Sequence, residues 1–140
     1  IIPRTILFIL LGRKLQLHGG GVSTRSFINM QDVSDATWKI MQNGRDGETY
    51  HISTNEVISI RELVERICDK LSVKYEDHVE LVGERKGKDS AYHLDSTKLR
   101  TELDWHDRIN LDQGLDECIS WVQSNFEVLK NQPSEYEHKP

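Results

Sequence analysis

Apolar positions recur along this chain with two periods, one near three and a half residues and one near two. Over residues 60–71, Ile60, Leu63, Val64, Ile67, Cys68 and Leu71 return every third or fourth position, which predicts a helix with one face on a core. Ser59 and Glu62 stand ahead of that stripe at the spacing of a capping box, each side chain accepting from the other's main-chain N–H. A second helical pattern begins at Pro3, whose missing N–H costs nothing in a first turn. It runs through "ILFILL" (residues 6–11) and stops at Gly12. Asp32 is expected to cap a third helix through Gln42, with Val33, Ala36, Trp38, Ile40 and Met41 as its apolar contacts. Asp95 or Ser96 opens a fourth over "TKLRTELDW". Asn110 and Gln113 form a second capping box for a last helix reaching from Leu111 to about Leu129.

Runs with the shorter period, or with β-branched and aromatic content, lie between these helices. "KLQLH" predicts a short strand, Gly19-Gly20-Gly21 a hairpin turn, and "TRSFINM" the strand that returns from it. "ETYHIS" (residues 48–53), "HVELVG" and "AYHLD" read as further short strands. Strands alternating with helices predict an α/β fold. Because every strand is short, the sheet is expected to be small and mixed, with helices packed on it, rather than fully doubly wound. Residues 1–130 are expected to form the folded domain, and residues 131–140, polar and proline-bearing, a disordered tail. "ILFILL" is apolar all round, so it is expected to leave apolar surface exposed and to make the chain self-associate.

Composition narrows the classes. A chain of 140 residues with 36% apolar and 29% charged positions is that of a globular domain. Its net charge of −5 argues against a nucleic-acid binder or a membrane-surface protein, so any anion must be met by local cations. "ILFILL" is too short to span a bilayer and carries no cleavage site behind it. Cys68 and Cys118 fall in helical patterns without metal spacing, which predicts reduced thiols in a cytoplasmic protein. The chain opens on Ile1 directly at a helix, which reads as a fragment whose beginning lies upstream.

The search for chemistry returns mostly negatives. Gly19-Gly20-Gly21 has neither the spacing nor the following helix of a dinucleotide or phosphate loop. The six histidines never pair at ligand spacing, so no metal is expected, and none of Tyr50, Tyr75, Tyr92 or Tyr136 has a lysine four residues on. No catalytic residue is assigned. Two arginines stand out: Arg25, after the glycine turn, and Arg85 in "GERKGKD" with Lys86 and Lys88. A guanidinium presents a planar fork that matches phosphate oxygens. From composition alone, solvated charges pairing with Glu84 and Asp89 explain them better.

The order of the pieces changes that balance. "IIPRTILFILLGRKLQLHGGGVSTRSFINMQDVSDA", "GETYHISTNEVISIRELVERICDKL", "GERKGKDSAYHLDSTKLRTELDW" and "LDQGLDECISWVQSNF" together resemble the C-terminal part of the extended short-chain dehydrogenase/reductases that act on nucleotide sugars. The resemblance is strongest to their dTDP-glucose 4,6-dehydratase branch. It implies a substrate-binding domain whose glycine-rich dinucleotide (Rossmann) partner is absent from this chain. That partner would hold NAD, so no cofactor is expected in these residues. It further implies that Ile1, Ile2, Pro3, Gln16 and His18 lie along the nucleotide, and that Arg25, Ser59, Arg85 and Lys88 line the substrate site, with the two arginines on the diphosphate. Gln16 and His18 stand where the family usually has proline and tyrosine, and Lys86 and Lys88 replace a proline and a histidine. The implied activity is NAD-dependent 4,6-dehydration of a nucleotide-diphosphate sugar by a full-length homodimer, with these residues inert alone. A nucleotide-sugar epimerase, a decarboxylase, or a non-catalytic nucleotide- or anion-binding module remain as alternatives.

Overall fold

The structure, a computed structural model, describes residues 1–84, 87 and 89–133. Its elements are short strands alternating with helices, as the two periods predict, and the chain divides into two compact units.

The first unit takes residues 1–21, 61–85 and 115–140. Helix α1 (Ile2–Leu10) carries Pro3 in its first turn and ends before Gly12, whose φ of +65° only glycine adopts without strain. Strand β1 (Leu15–His18) pairs in parallel with β4 (Val79–Val82), so that Leu15 opposes Val79 and His18 opposes Val82. Leu15 and Leu17 point into the core while Gln16 and His18 face outward, the alternation that a half-buried strand requires. Helix α3 (Ile60–Lys70) buries Leu63, Val64, Ile67 and Cys68, and the short α4 (Tyr75–His78) leads into β4. Most of α6 (Leu111–Ser124) belongs here too, burying Leu115, Ile119 and Val122.

The second unit takes residues 22–60 and 86–114. Its sheet has the order β3-β2-β5. Strand β2 (Thr24–Arg25) runs antiparallel to β3 (Ile58–Ser59) and parallel to β5 (Ala91–Tyr92). Helices α2 (Met30–Asn43) and α5 (Thr97–Leu103) enclose a core of Ala36, Leu99 and Trp105, against which Ile28, Ile40, Tyr50, Ile52 and Leu103 pack.

Several expectations are corrected. Gly19–Gly21 is no hairpin turn: β1 and β2 lie in different sheets. The three glycines make a left-handed 3-10 turn with φ between 56° and 70°. A Cβ on Gly21 would fall 2.9 Å from the main-chain nitrogen of Arg61, which cannot move aside cheaply. "TRSFINM" is a strand only at Thr24–Arg25, and "ETYHIS" forms none. "AYHLD" narrows to Ala91–Tyr92. Asp32 does not cap α2. Asn29 does, accepting from the Gln31 N–H at 2.9 Å, and Asp32 is buried in the first turn. Trp38 and Met41 contribute nothing to the core, being 56% and 66% exposed. "ILFILL" is not an exposed apolar surface either, since Ile6, Phe8 and Ile9 are all buried. The last helix breaks at Asn125, whose side-chain amide donates to the Trp121 carbonyl, and a short α7 (Phe126–Leu129) follows. The Asn110–Gln113 box is present in both directions, at 2.9 and 3.1 Å. The expected tail lies, from residue 134, outside the described residues.

Candidate functional site

Arg25 is placed by the middle strand of the second unit's sheet. Its main chain is paired on both sides, with Ile58 and with Tyr92, so its position is set by backbone rather than by side-chain packing. The guanidinium is half-buried and held from three directions. One terminal nitrogen donates to the Thr24 carbonyl at 2.6 Å and the other to the Asp89 carbonyl at 2.9 Å. The Tyr92 ring lies 5.6 Å from its central carbon. Among the described residues these two carbonyl bonds take up two of the five guanidinium N–H donors, leaving three for a ligand.

Arg25 borders a cleft of about 310 Å³ lined also by Ser26, Ile28, Ile52, Ser53, Tyr92 and Leu94. Of these described lining residues only Arg25 is charged. A cation among apolar and hydroxyl groups suits an anion with an uncharged, partly apolar body. The wall is braced from behind. The carbonyl of buried Ser53 accepts from the Ser96 hydroxyl at 3.0 Å and from Arg100 at 2.9 Å. Arg100 also reaches Asp107 at 2.7 Å and stacks 4.9 Å from the Trp105 ring. Burial works to raise the Asp107 pKa, but hydrogen bonds from Thr54 and Arg100 outweigh it and hold the carboxyl below its ordinary value.

The other candidates are distributed as follows. Ser59 pairs with Thr24 one position along from Arg25 but is not among the residues lining the cleft. Ile1, Ile2, Pro3, Gln16 and His18 belong to the first unit. Ile1 is exposed, Ile2 opens α1, and Pro3 borders an apolar cleft with Leu7, Phe8 and Trp121. Gln16 and His18 face outward on β1, and the His18 Nδ1 lies 3.1 Å from the Gly83 carbonyl, which can only accept. Arg85 and Lys88 lie outside the described residues. Sequence reasoning missed Tyr92, Ser53 and Ile52 as neighbours of Arg25. Tyr92 alone carried a signal, an aromatic in a short strand, and its partner strand could not be read from local pattern.

Among the described residues no group of histidine, cysteine and acidic side chains is arranged for a metal, and no helix is long and apolar enough to cross a membrane. The glycine turn leads to β2 rather than to a helix N-terminus, so Gly19–Gly21 does not form the phosphate cradle of a dinucleotide site.

A family model described as GDP-mannose 4,6 dehydratase matches residues 1–118. The chain belongs to this family. Within it, the chain is 33% identical over 135 residues to the dTDP-glucose 4,6-dehydratase of Haemophilus influenzae, a match that covers 89% of this chain and 40% of that protein. The dTDP-glucose 4,6-dehydratase of Bacillus anthracis, solved in complex with NAD, superposes with a TM-score of 0.84 at 32% identity, over 90% of this chain and 40% of that one. The enzyme WbmF of Bordetella bronchiseptica, solved with NAD+ and UDP, superposes with a TM-score of 0.76 at 28% identity, over 92% and 37%. The resemblance to extended short-chain dehydrogenase/reductases of nucleotide sugars is thereby borne out, as is the α/β class with small sheets. The chain spans about two-fifths of the length of the dTDP-glucose 4,6-dehydratases it matches.

Proposed function

We propose that residues 1–130 form the nucleotide-sugar-binding part of an NAD-dependent nucleotide-sugar 4,6-dehydratase, and that Arg25 holds the substrate's diphosphate. The observation that carries this reading is the cleft in which a strand-fixed arginine, with three N–H donors to spare, is the one charged group among the described lining residues. Its support is the family membership and the relatives named as dTDP-glucose 4,6-dehydratases. A charge-assisted fork on the diphosphate would anchor one end of the substrate. Binding energy spent there would orient the sugar at the reacting end. Ile1, Ile2, Pro3, Gln16, His18, Ser59, Arg85 and Lys88 complete the proposed substrate-binding set.

When bound, NAD supplies reversible hydride transfer. In this reading it belongs to the part of the protein outside these residues, because nothing among those described forms a dinucleotide cradle. No catalytic residue is assigned here, and an epimerase of the same family would share this binding half. Homodimerisation and a cytoplasmic location belong to the same proposal. The free thiols of Cys68 and Cys118 are in keeping with a reducing compartment.

The test is calorimetric titration of the full-length protein and its Arg25→Ala variant with dTDP-glucose and UDP-glucose, with product analysis of the wild type. Losing one charge-assisted contact of about 1.5–3 kcal/mol weakens binding roughly ten- to hundredfold. Arg25→Lys is expected to recover only part, since an ammonium keeps the charge but not the fork. NAD affinity should stay at its wild-type value. Unchanged sugar-nucleotide affinity in an intact Arg25→Ala protein would remove Arg25 from the site.

A further inference from the structure

Tyr92, at the end of the edge strand β5, is 58% exposed, a large aromatic surface left open beside the cleft. It stands directly opposite Arg25 in the parallel β2–β5 register, and its ring lies 5.6 Å from the guanidinium carbon. We propose that Tyr92 is a positioning residue for the Arg25 anion site, its ring fixing the guanidinium so that an anion is met along the remaining N–H edge. The inference rests on the diphosphate reading of Arg25 given above and adds to it the group that sets the arginine's orientation.

The physical argument runs through what a free arginine would do. A long side chain on a strand samples many rotamers, and ordering it on binding costs entropy. Here the Thr24 and Asp89 carbonyls restrain the plane from its edges, and the ring's negative face attracts the cation from one side. Held between the two carbonyls and the ring, the arginine meets phosphate oxygens along its remaining N–H edge. That is the geometry of a forked, two-bond contact. Asp89 offers its main-chain carbonyl to the arginine, so the donors it takes up are satisfied without a carboxylate bond to compete with a ligand. The aromatic ring is the part of Tyr92 that this role requires; the hydroxyl is not.

The experiment titrates UDP and dTDP into the full-length protein and its Tyr92→Phe, Tyr92→Leu, Arg25→Ala and doubly substituted Tyr92→Leu/Arg25→Ala forms. Thermal melting checks each fold, and Tyr92→Met serves as a second ring-less variant should the leucine form melt early. Loss of an exposed cation–ring contact is expected to weaken binding about two- to fivefold in Tyr92→Leu. Tyr92→Phe should match the wild type, and Tyr92→Leu should change nothing further once Arg25 is alanine. With full substrate, the loss should fall on KM and leave kcat near wild type. Equal binding by wild type and ring-less variants, while Arg25→Ala is weakened, overturns the positioning role and leaves the Arg25 reading intact. A loss in Tyr92→Phe as large as in Tyr92→Leu, or a full loss persisting in the double variant, would mean that Tyr92 touches the ligand itself. Wild-type protein that binds neither nucleotide sinks both readings.

Discussion

Asp32 shows how a single side chain can tie together segments far apart in sequence. Only 4% exposed, its two carboxylate oxygens accept the main-chain N–H groups of Arg108 and Ile109, each at 3.0 Å. Asp32→Ala therefore leaves two donors without their acceptor, and is expected to lower stability to urea by about 1.5–3 kcal/mol. Asp32→Asn should cost nearly as much, because an amide offers one acceptor oxygen and turns an NH2 toward the second donor. An asparagine variant as stable as wild type would show that one of the two bonds contributes nothing. Asp107 makes a different prediction, in pH. Its native pKa lies below the ordinary carboxylate value despite burial, so its hydrogen bonds with Thr54 and Arg100 contribute fully at neutral pH and are lost as pH falls through the lowered native pKa. Asp107→Asn is expected to be less stable than wild type at pH 7, with the difference narrowing toward acid in denaturation curves taken across pH. A constant difference would show that the charge is not what matters. Both acidic residues are visible in the sequence, but the Asp32 partners, 76 and 77 positions away, are not. The helix cap that the sequence predicts at Asp32 is a role that needs only local information.

At the scale of elements, local chemistry reads well where it is self-contained. The Asn110–Gln113 box closes within four residues, and both of its bonds form. Asn110→Ala should lower stability by about 1 kcal/mol, read as a shifted urea midpoint with an unchanged slope. No shift would mean that the start of α6 is held by tertiary contacts alone. The stripe of α3 and the start of α1 succeeded for the same reason, since burial of one face follows from spacing. The strand readings fared worse. A strand is defined by its partner, and "ETYHIS" has the residue types of a strand but makes no ladder among the described residues, while "TRSFINM" is paired only at Thr24–Arg25. The last helix was read through Asn125 because its apolar pattern continues. Nothing in that pattern announces that the asparagine's own amide will take the Trp121 carbonyl.

For the whole molecule, the division into two units and the two-fifths coverage of its dTDP-glucose 4,6-dehydratase relatives bear on what this chain does alone. The 140-residue chain is expected to show no saturable NAD binding below millimolar concentration, by fluorescence or calorimetric titration. The reason is the glycine turn, which runs into β2 and presents no helix N-terminus to a pyrophosphate. Saturable binding would place a cofactor site within these residues and overturn the assignment of NAD to the rest of the protein. The thiols give an independent check on the first unit. Burial pushes the Cys68 pKa up to about 11, so at pH 8 it should react with alkylating reagents only when the protein is unfolded. Rapid labelling in native conditions would contradict its placement in the α3 core.

By itself the sequence determined the alternation of short strands with helices, the helix starts marked by Asn110 and Pro3, and the buried stripe of α3. Each of these depends on residues within a turn or two of one another. The order of its motifs also determined the family, because order and spacing survive when single positions such as Gln16 and His18 diverge. Only the tertiary structure decided which strands pair, that Asp32 holds a loop rather than a helix end, and that "ILFILL" is covered. The same holds for Tyr92 beneath the Arg25 guanidinium: 67 positions separate the two, and the β2–β5 register alone brings them together. Such pairings are set by which segments meet when the core closes, and no local period encodes that.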